Sequence, residues 1–193
     1  MANEEGKIPV EAGYEVWYRR VGSGGIPLLT LHGGPGAGHD YLEPLEGLAT
    51  DRAVVFYDQL GCGKSDQPDD RTLWLMERFV TEVDTVRRTL GLEQIHLLGQ
   101  SWGGWLAIEY MLTRPSGVVS LTLAYTKFWL QKQLPAQESS SSCNRSQADT
   151  VPIVYSYPIS SSLNLRPSLF PSPSLNSSLY EILKKMCLAP IHF

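Results

Sequence analysis

The stretch Gly99-Gln100-Ser101-Trp102-Gly103-Gly104 decides the fold. It has the pattern G-x-S-x-G, which carries little information until its flanks are read. Before it, QIHLLGQ (Gln94 to Gln100) is a short apolar run of the kind that forms a buried strand. After it, WGGWLAIEYMLTRP reads as a helix that ends before Pro115. Ser101 is therefore expected on a sharp strand-to-helix turn that forces a strained backbone on its central residue. Gly99 and Gly103 leave out side chains that would collide across such a turn. The hydroxyl would project at the carboxyl end of the sheet, beside the positive end of the next helix. The backbone N–H of Trp102 would point at an oxyanion forming on a substrate.

Outward from this turn the same strand signature recurs in PLLTLHG (Pro27 to Gly33), RAVVFYDQ (Arg52 to Gln59) and VVSLTLAY (Val118 to Tyr125). YEVWYRRV (Tyr14 to Val21) alternates loosely and ends in GSGG, as an outer hairpin strand does. Leu73, Met76, Phe79, Val80, Val83, Val86 and Leu90 keep helical spacing, with Thr72 as N-cap and Gly91 as C-terminal stop. Strands alternating with helices predict an α/β class: a mostly parallel sheet with helices on both faces.

Composition divides the chain near residue 126. All 17 glycines lie at or before Gly117, and only Glu138, Asp149 and Glu181 are acidic beyond Thr126. Serine and proline dominate the remainder, as in PSLFPSPSLNSS (Pro167 to Ser178). The expected division is a partial α/β core over 1–126 and a low-complexity, poorly ordered Ser/Pro-rich tail over 127–193, because so little apolar burial opposes the entropy of ordering. VPIVYSY (Val151 to Tyr157) and LYEILKKMCL (Leu179 to Leu188) are the exceptions, suited to a short strand and a short helix.

The net charge of −4 and the lack of basic runs argue against nucleic acid as a partner. No apolar segment reaches membrane-spanning length, and the polar, acidic start is unlike a secretory signal. Cys62, Cys143 and Cys187 are few and scattered, which suits free thiols in a reducing compartment and a cytoplasmic location. Gly61-Cys62-Gly63-Lys64-Ser65 ends like a phosphate-binding loop, but Asp58 stands where that motif needs a glycine, so nucleotide binding is rejected. Cys62 reads as a small filler. No His, Cys or carboxylate spacing suggests a metal, and no cofactor is expected.

A second element supports the serine. His32-Gly33-Gly34-Pro35-Gly36 follows a buried strand, where a glycine-rich loop can bring backbone donors close to a ligand. His32 lies at the end of that strand and reads as a structural residue orienting the loop, not as a general base. His39 and His96 read likewise as satisfied structural residues.

HGGPG, DQLGCGKSDQP (Asp58 to Pro68) and GQSWGG, in that order, resemble the proline iminopeptidase family of α/β-hydrolases. The similarity covers roughly residues 10–126. The resemblance implies the N-terminal portion of an α/β-hydrolase fold and a serine peptidase that releases an N-terminal residue, often proline, or cleaves amino-acid amides or esters. It implies Ser101 as nucleophile and the N–H groups of Gly34 and Trp102 as oxyanion hole, with His32, Gly33, Pro35, Gly36, Gly99 and Gly103 supporting loop and elbow. Expected partners are peptide or amino-acid amide substrates.

A serine nucleophile needs a histidine to take its proton and a carboxylate to orient that histidine. In the resembled family both follow the serine, far beyond the last matching residue here, and a helical lid between them holds the substrate's amine. Asp149 and His192 have the required order. However, Asp149 precedes an apolar run instead of leaving one, and His192 is penultimate in the chain. The triad Asp and His are left unassigned. The resemblance implies a C-terminally truncated member whose last third is unrelated sequence, an inactive or partner-dependent half-domain with an unpaired sheet edge at Val118 to Tyr125. Sequencing the transcript across codons 120–135 tests that expectation.

Overall fold

The computed structural model of the chain describes residues 3–124 and, for the backbone, 154–158. Seven strands form one sheet in the order β1-β2-β4-β3-β5-β6-β7. They are β1 (Asn3–Pro9), β2 (Glu15–Val21), β3 (Leu28–Leu31), β4 (Val54–Tyr57), β5 (Ile95–Gln100), β6 (Val118–Ala124) and β7 (Val154–Pro158). The centre, β4-β3-β5-β6, is parallel, whereas β1, β2 and β7 join antiparallel.

The central strands are short and predominantly apolar because both of their faces are covered. Leu29, Leu31, Val55, Tyr57 and Leu97 pack against two helices, α1 (Met76–Thr89) and α2 (Trp102–Leu112), through Phe79, Val83, Val86, Leu106 and Tyr110. Their alternates Leu28, Val54, Phe56 and Leu98 pack against Leu42 and Leu45 of a 3-10 segment, Asp40–Leu48. That segment carries Pro44, which lacks an amide hydrogen for a regular α-helical ladder.

Three expectations need correction. β2 is not the outer strand: β1 pairs along its whole length and takes the edge. The sequence hid β1 because NEEGKIP is polar and buries only Ile8. Thr72 does not cap α1, which starts at Met76 with no side-chain cap. Its amide and hydroxyl both donate to the Asp70 carboxylate, at 2.9 and 2.7 Å, and close a separate 3-10 turn, Arg71–Leu73. Nor is β6 an unpaired edge: β7, which begins within VPIVYSY and ends at Pro158, runs antiparallel along it from Ser120 to Ala124. The predicted helix at Leu179 to Leu188, and Cys143, Asp149, Cys187 and His192, lie outside the described residues.

Gly91 does end α1, at a φ of 62° that glycine tolerates best. A buried ion pair that no pattern flagged fastens this helix. Arg78 Nη1 donates to Glu82 Oε2 at 2.7 Å, and both side chains are almost fully buried. Burial pushes the Glu82 carboxyl above its ordinary value, against the pull of Arg78.

Candidate active site

β5 runs directly into α2, and Ser101 is the single residue between them. Its backbone, φ 52° and ψ −113°, lies outside the regions ordinary residues favour. Holding a side chain there costs about 1–3 kcal/mol, which the surrounding packing must supply. The turn can be this tight because β5 and α2 touch through glycines. A Cβ on Gly99 would stand 2.6 Å from Gly104 Cα, and one on Gly103 would stand 2.5 Å from the His32 carbonyl oxygen. The N–H of Ser101 donates to Ala124 O on β6 at 2.8 Å, anchoring the turn to the sheet while Ser101 itself stays exposed. Trp102 is the first residue of α2, so its N–H has no acceptor within the helix.

The neighbouring strand β3 ends at Leu31 and runs into His32, Gly33 and Gly34. Gly34 has φ 121°, and a Cβ there would stand 2.6 Å from the N of Gly36. His32 is fully buried, and both ring nitrogens are engaged. Nε2 accepts from the N–H of Gln59 at 2.9 Å, which leaves Nδ1 as the donor to Gly33 O at 2.8 Å. Burial holds its pKa below the ordinary histidine value. A neutral imidazole with no free nitrogen is a brace, not a base.

Residues that the sequence did not single out lock this loop to the elbow. Tyr41 OH accepts from the N–H of Gly33 and donates to Gln100 Oε1 at 2.8 Å, so one phenol ties β3's exit to the residue before Ser101. Burial pushes the Tyr41 hydroxyl up to about 12, so it stays protonated. Gln59 makes a parallel tie. Its side-chain amide donates to His32 O at 3.0 Å, and its Oε1 accepts from Trp102 Nε1 at 2.8 Å. Only the sheet order, with β3 between β4 and β5, brings these glutamines together; no local sequence signal could.

Asp58, at the end of β4, is a buried staple. It accepts from the N–H and Nδ1–H of His39 and from the N–H of Lys64, each at 2.8 Å. Burial alone would raise its carboxyl, but the hydrogen bonds from His39 and Lys64 outweigh burial and hold it below the usual value. Cys62 in the same loop is buried, and burial pushes its thiol up to about 11. At neutral pH it is no thiolate nucleophile.

The described histidines are therefore His32, committed to Gly33 and Gln59, His39, bound to Asp58, and His96, whose Nδ1 is 2.7 Å from Ser120 Oγ. None is hydrogen-bonded to Ser101. His39 departs from expectation, because its Nε2 is buried without a hydrogen-bond partner. Likewise, where no metal-ligand spacing was expected, His39, Asp40 and Glu43 bring donor atoms within 4.8 Å of one another. A search for histidine and cysteine spacing passes over two carboxylates at the start of a 3-10 segment. Among the described residues, no helix is long and apolar enough to cross a membrane.

The family model described as alpha/beta hydrolase fold matches residues 26–152, a span that passes the compositional break. Proline iminopeptidase of Heyndrickxia coagulans is 55% identical over 98 residues, covering 51% of this chain and 34% of its own. That of Lactobacillus acidophilus is 46% identical over 162 residues, covering 76% of this chain and 55% of its own. The crystal structure of proline iminopeptidase from Mycobacterium smegmatis superposes with TM-score 0.58 at 39% identity, over 61% of this chain and 42% of that one. The chain thus spans between a third and about half of the length of these relatives. It belongs to the alpha/beta hydrolase fold family.

Proposed function

We propose that the chain carries the nucleophile half of a serine hydrolase of the proline iminopeptidase type. Such an enzyme releases an N-terminal residue from peptides, or hydrolyses amino-acid amides, through an acyl-enzyme on Ser101. The observation that carries this reading is the backbone of Ser101, at positive φ between β5 and α2 with its side chain in solvent. Strain of that kind persists where it presents a reacting group. Similarity to proline iminopeptidases directs the choice of substrate.

Attack of the Ser101 hydroxyl on a scissile carbonyl would place negative charge on the carbonyl oxygen. The N–H groups of Gly34 and Trp102 would receive it, with His32, Tyr41, Gln59 and Gln100 keeping the two strands' exits in register. Two N–H donors held by buried ties need no reorganisation as the charge forms. Pro35 and Gly36 would shape the turn that carries Gly34.

The proton of Ser101 must go to an imidazole, and none of the three described histidines is hydrogen-bonded to Ser101: His32 is held by Gly33 and Gln59, His39 by Asp58, and His96 lies beside Ser120. The base and its orienting carboxylate therefore come from outside the described residues. The isolated chain is proposed to be inactive, a half-domain completed only by a partner segment. An assay tests both halves of this reading. Residues 3–124 replace the corresponding segment of the Lactobacillus acidophilus enzyme, and hydrolysis of a prolyl arylamide is compared for the chimera and the 193-residue chain. Expected is turnover by the chimera that Ser101→Ala abolishes, and none by the chain. A chimera that melts cooperatively yet is inactive would refute the nucleophile assignment. Turnover by the chain alone would refute the missing base.

A further inference from the structure

The unused nitrogen of His39 lies outside the machinery assigned to Ser101. The ring is 1% exposed and stacks on Trp17 with centroids 4.2 Å apart. Its Nδ1–H donates to Asp58 at 2.8 Å, so that in the neutral ring the lone pair is on Nε2. Nε2 is buried, has no hydrogen-bond partner, and faces Asp40 Oδ1 at 3.7 Å and Glu43 Oε1 at 3.8 Å. A lone pair aimed at two carboxylates is repulsive unless a cation lies between them.

We propose that His39, Asp40 and Glu43 form a binding site for a divalent transition-metal ion of the Zn2+ class. Spacing favours a metal over a proton. An N–H donating to a carboxylate draws the oxygen to about 2.7–2.9 Å, and both oxygens stand well beyond that. Ligands about 2.0–2.1 Å from a tetrahedral Zn2+ stand roughly 3.3 Å apart. The exposed Asp40 and half-exposed Glu43 side chains reach that spacing from Nε2 with small shifts, and rotation of the same two side chains must also draw their oxygens, now within 4.8 Å of each other, closer together.

The ligand chemistry agrees. One imidazole and two carboxylates suit zinc or its neighbours, and water can complete the coordination on the exposed side. Asp58 gripping Nδ1 reproduces the carboxylate–histidine arrangement that fixes a metal ligand's tautomer and raises its basicity. Among the described residues the cation paired with Glu43 is Arg19, which is 3.5 Å from Glu43 Oε1 but makes its shorter bond, 2.8 Å, to Glu46. Glu43 can therefore turn toward the ion without stranding that guanidinium. Bound metal would pin the start of the 3-10 segment, and through Tyr41 it would brace the Gly33–Gly34 loop.

Equilibrium dialysis of the full chain, freed of metal by chelation, against Zn2+ tests the site, with thermal unfolding measured in parallel. Expected is a site whose affinity falls at least tenfold in Asp40→Asn/Glu43→Gln, with a zinc-dependent rise in melting temperature that the double variant loses. Both substitutions sit on exposed side chains and leave the His39 stack in place, so far-UV circular dichroism should match the parent. His39→Gln should lose the same site. Equal zinc affinity in parent and double variant would overturn the proposal, because the ion would then sit on other residues. No binding by the parent would overturn it as well.

Discussion

Replacing Gly103 with alanine tests whether the elbow is as tight as the geometry requires. The added methyl would stand 2.5 Å from the His32 carbonyl oxygen and closer still to that of Leu31. Real Cβ atoms essentially never come within 3.0 Å of such an atom. The carboxyl end of β3 must therefore retreat from α2 by nearly 1 Å, and overpacking of that kind costs about 1–3 kcal/mol. Opposing it, alanine gains about 1 kcal/mol of helix propensity over glycine inside α2. Steric cost wins because the obstacle is strand backbone. That backbone is hydrogen-bonded on both sides, to β4 and β5, and cannot swing away as a side chain would. A net loss of up to about 2 kcal/mol is expected from urea unfolding followed by tryptophan fluorescence. Gly91→Ala is the control. It has positive φ but nothing within 4 Å, so its cost is conformational only, about 1 kcal/mol. An unfolding midpoint for Gly103→Ala at or above the parent's would refute the close approach of β3 and α2 on which the presentation of Ser101 rests.

Tyr41→Phe removes the hydroxyl between Gly33 and Gln100 and leaves a backbone N–H unsatisfied, so a loss of about 1–3 kcal/mol is expected in the same assay. Arg78→Met strands the buried Glu82 carboxylate and should cost about 3–5 kcal/mol, part of which Glu82→Gln in the same chain should restore. Stability should also fall with pH. Burial holds His32 and His96 below the ordinary histidine value. Below about pH 6.5 the unfolded chain takes up protons that the folded one refuses. Their stabilisation is complete above that pH and is lost as pH falls through their folded values. Asp58 adds a decline of the same sign below about pH 4, whereas Glu82, raised by burial, contributes the opposite slope. Melting temperatures between pH 7.5 and 5 should therefore drop in the parent and drop less in His32→Gln.

The central fold was legible because its signals are local. Leu73, Phe79, Val83 and Val86 all reached the predicted core, and four apolar runs became the four parallel strands. β1 was not legible, since an edge strand in water needs only one buried side chain, Ile8, to hold its register. The start of α1 was misplaced because Asp70 claims the Thr72 hydroxyl, a competition between two good capping residues that spacing does not decide. At the site, the strand–turn–helix placement of Ser101 and the close packing at Gly99 and Gly103 could be read directly, since one turn sets them. Tyr41, Gln59, Gln100 and Asp58 could not, because their partners come from other strands. Their hydrogen bonds exist only once β4, β3 and β5 lie side by side.

The most direct measurement is the rate at which a fluorophosphonate phosphonylates Ser101 with loss of fluoride, followed by intact mass and peptide mapping, in the chimera and in the 193-residue chain. A positioned base is worth roughly 10²–10⁴-fold in such a step. The chimera should therefore form a single adduct at Ser101 at least about a hundredfold faster than the chain. Equal rates would mean that an imidazole already serves Ser101 within this chain, and an adduct on any other residue would remove Ser101 as the nucleophile.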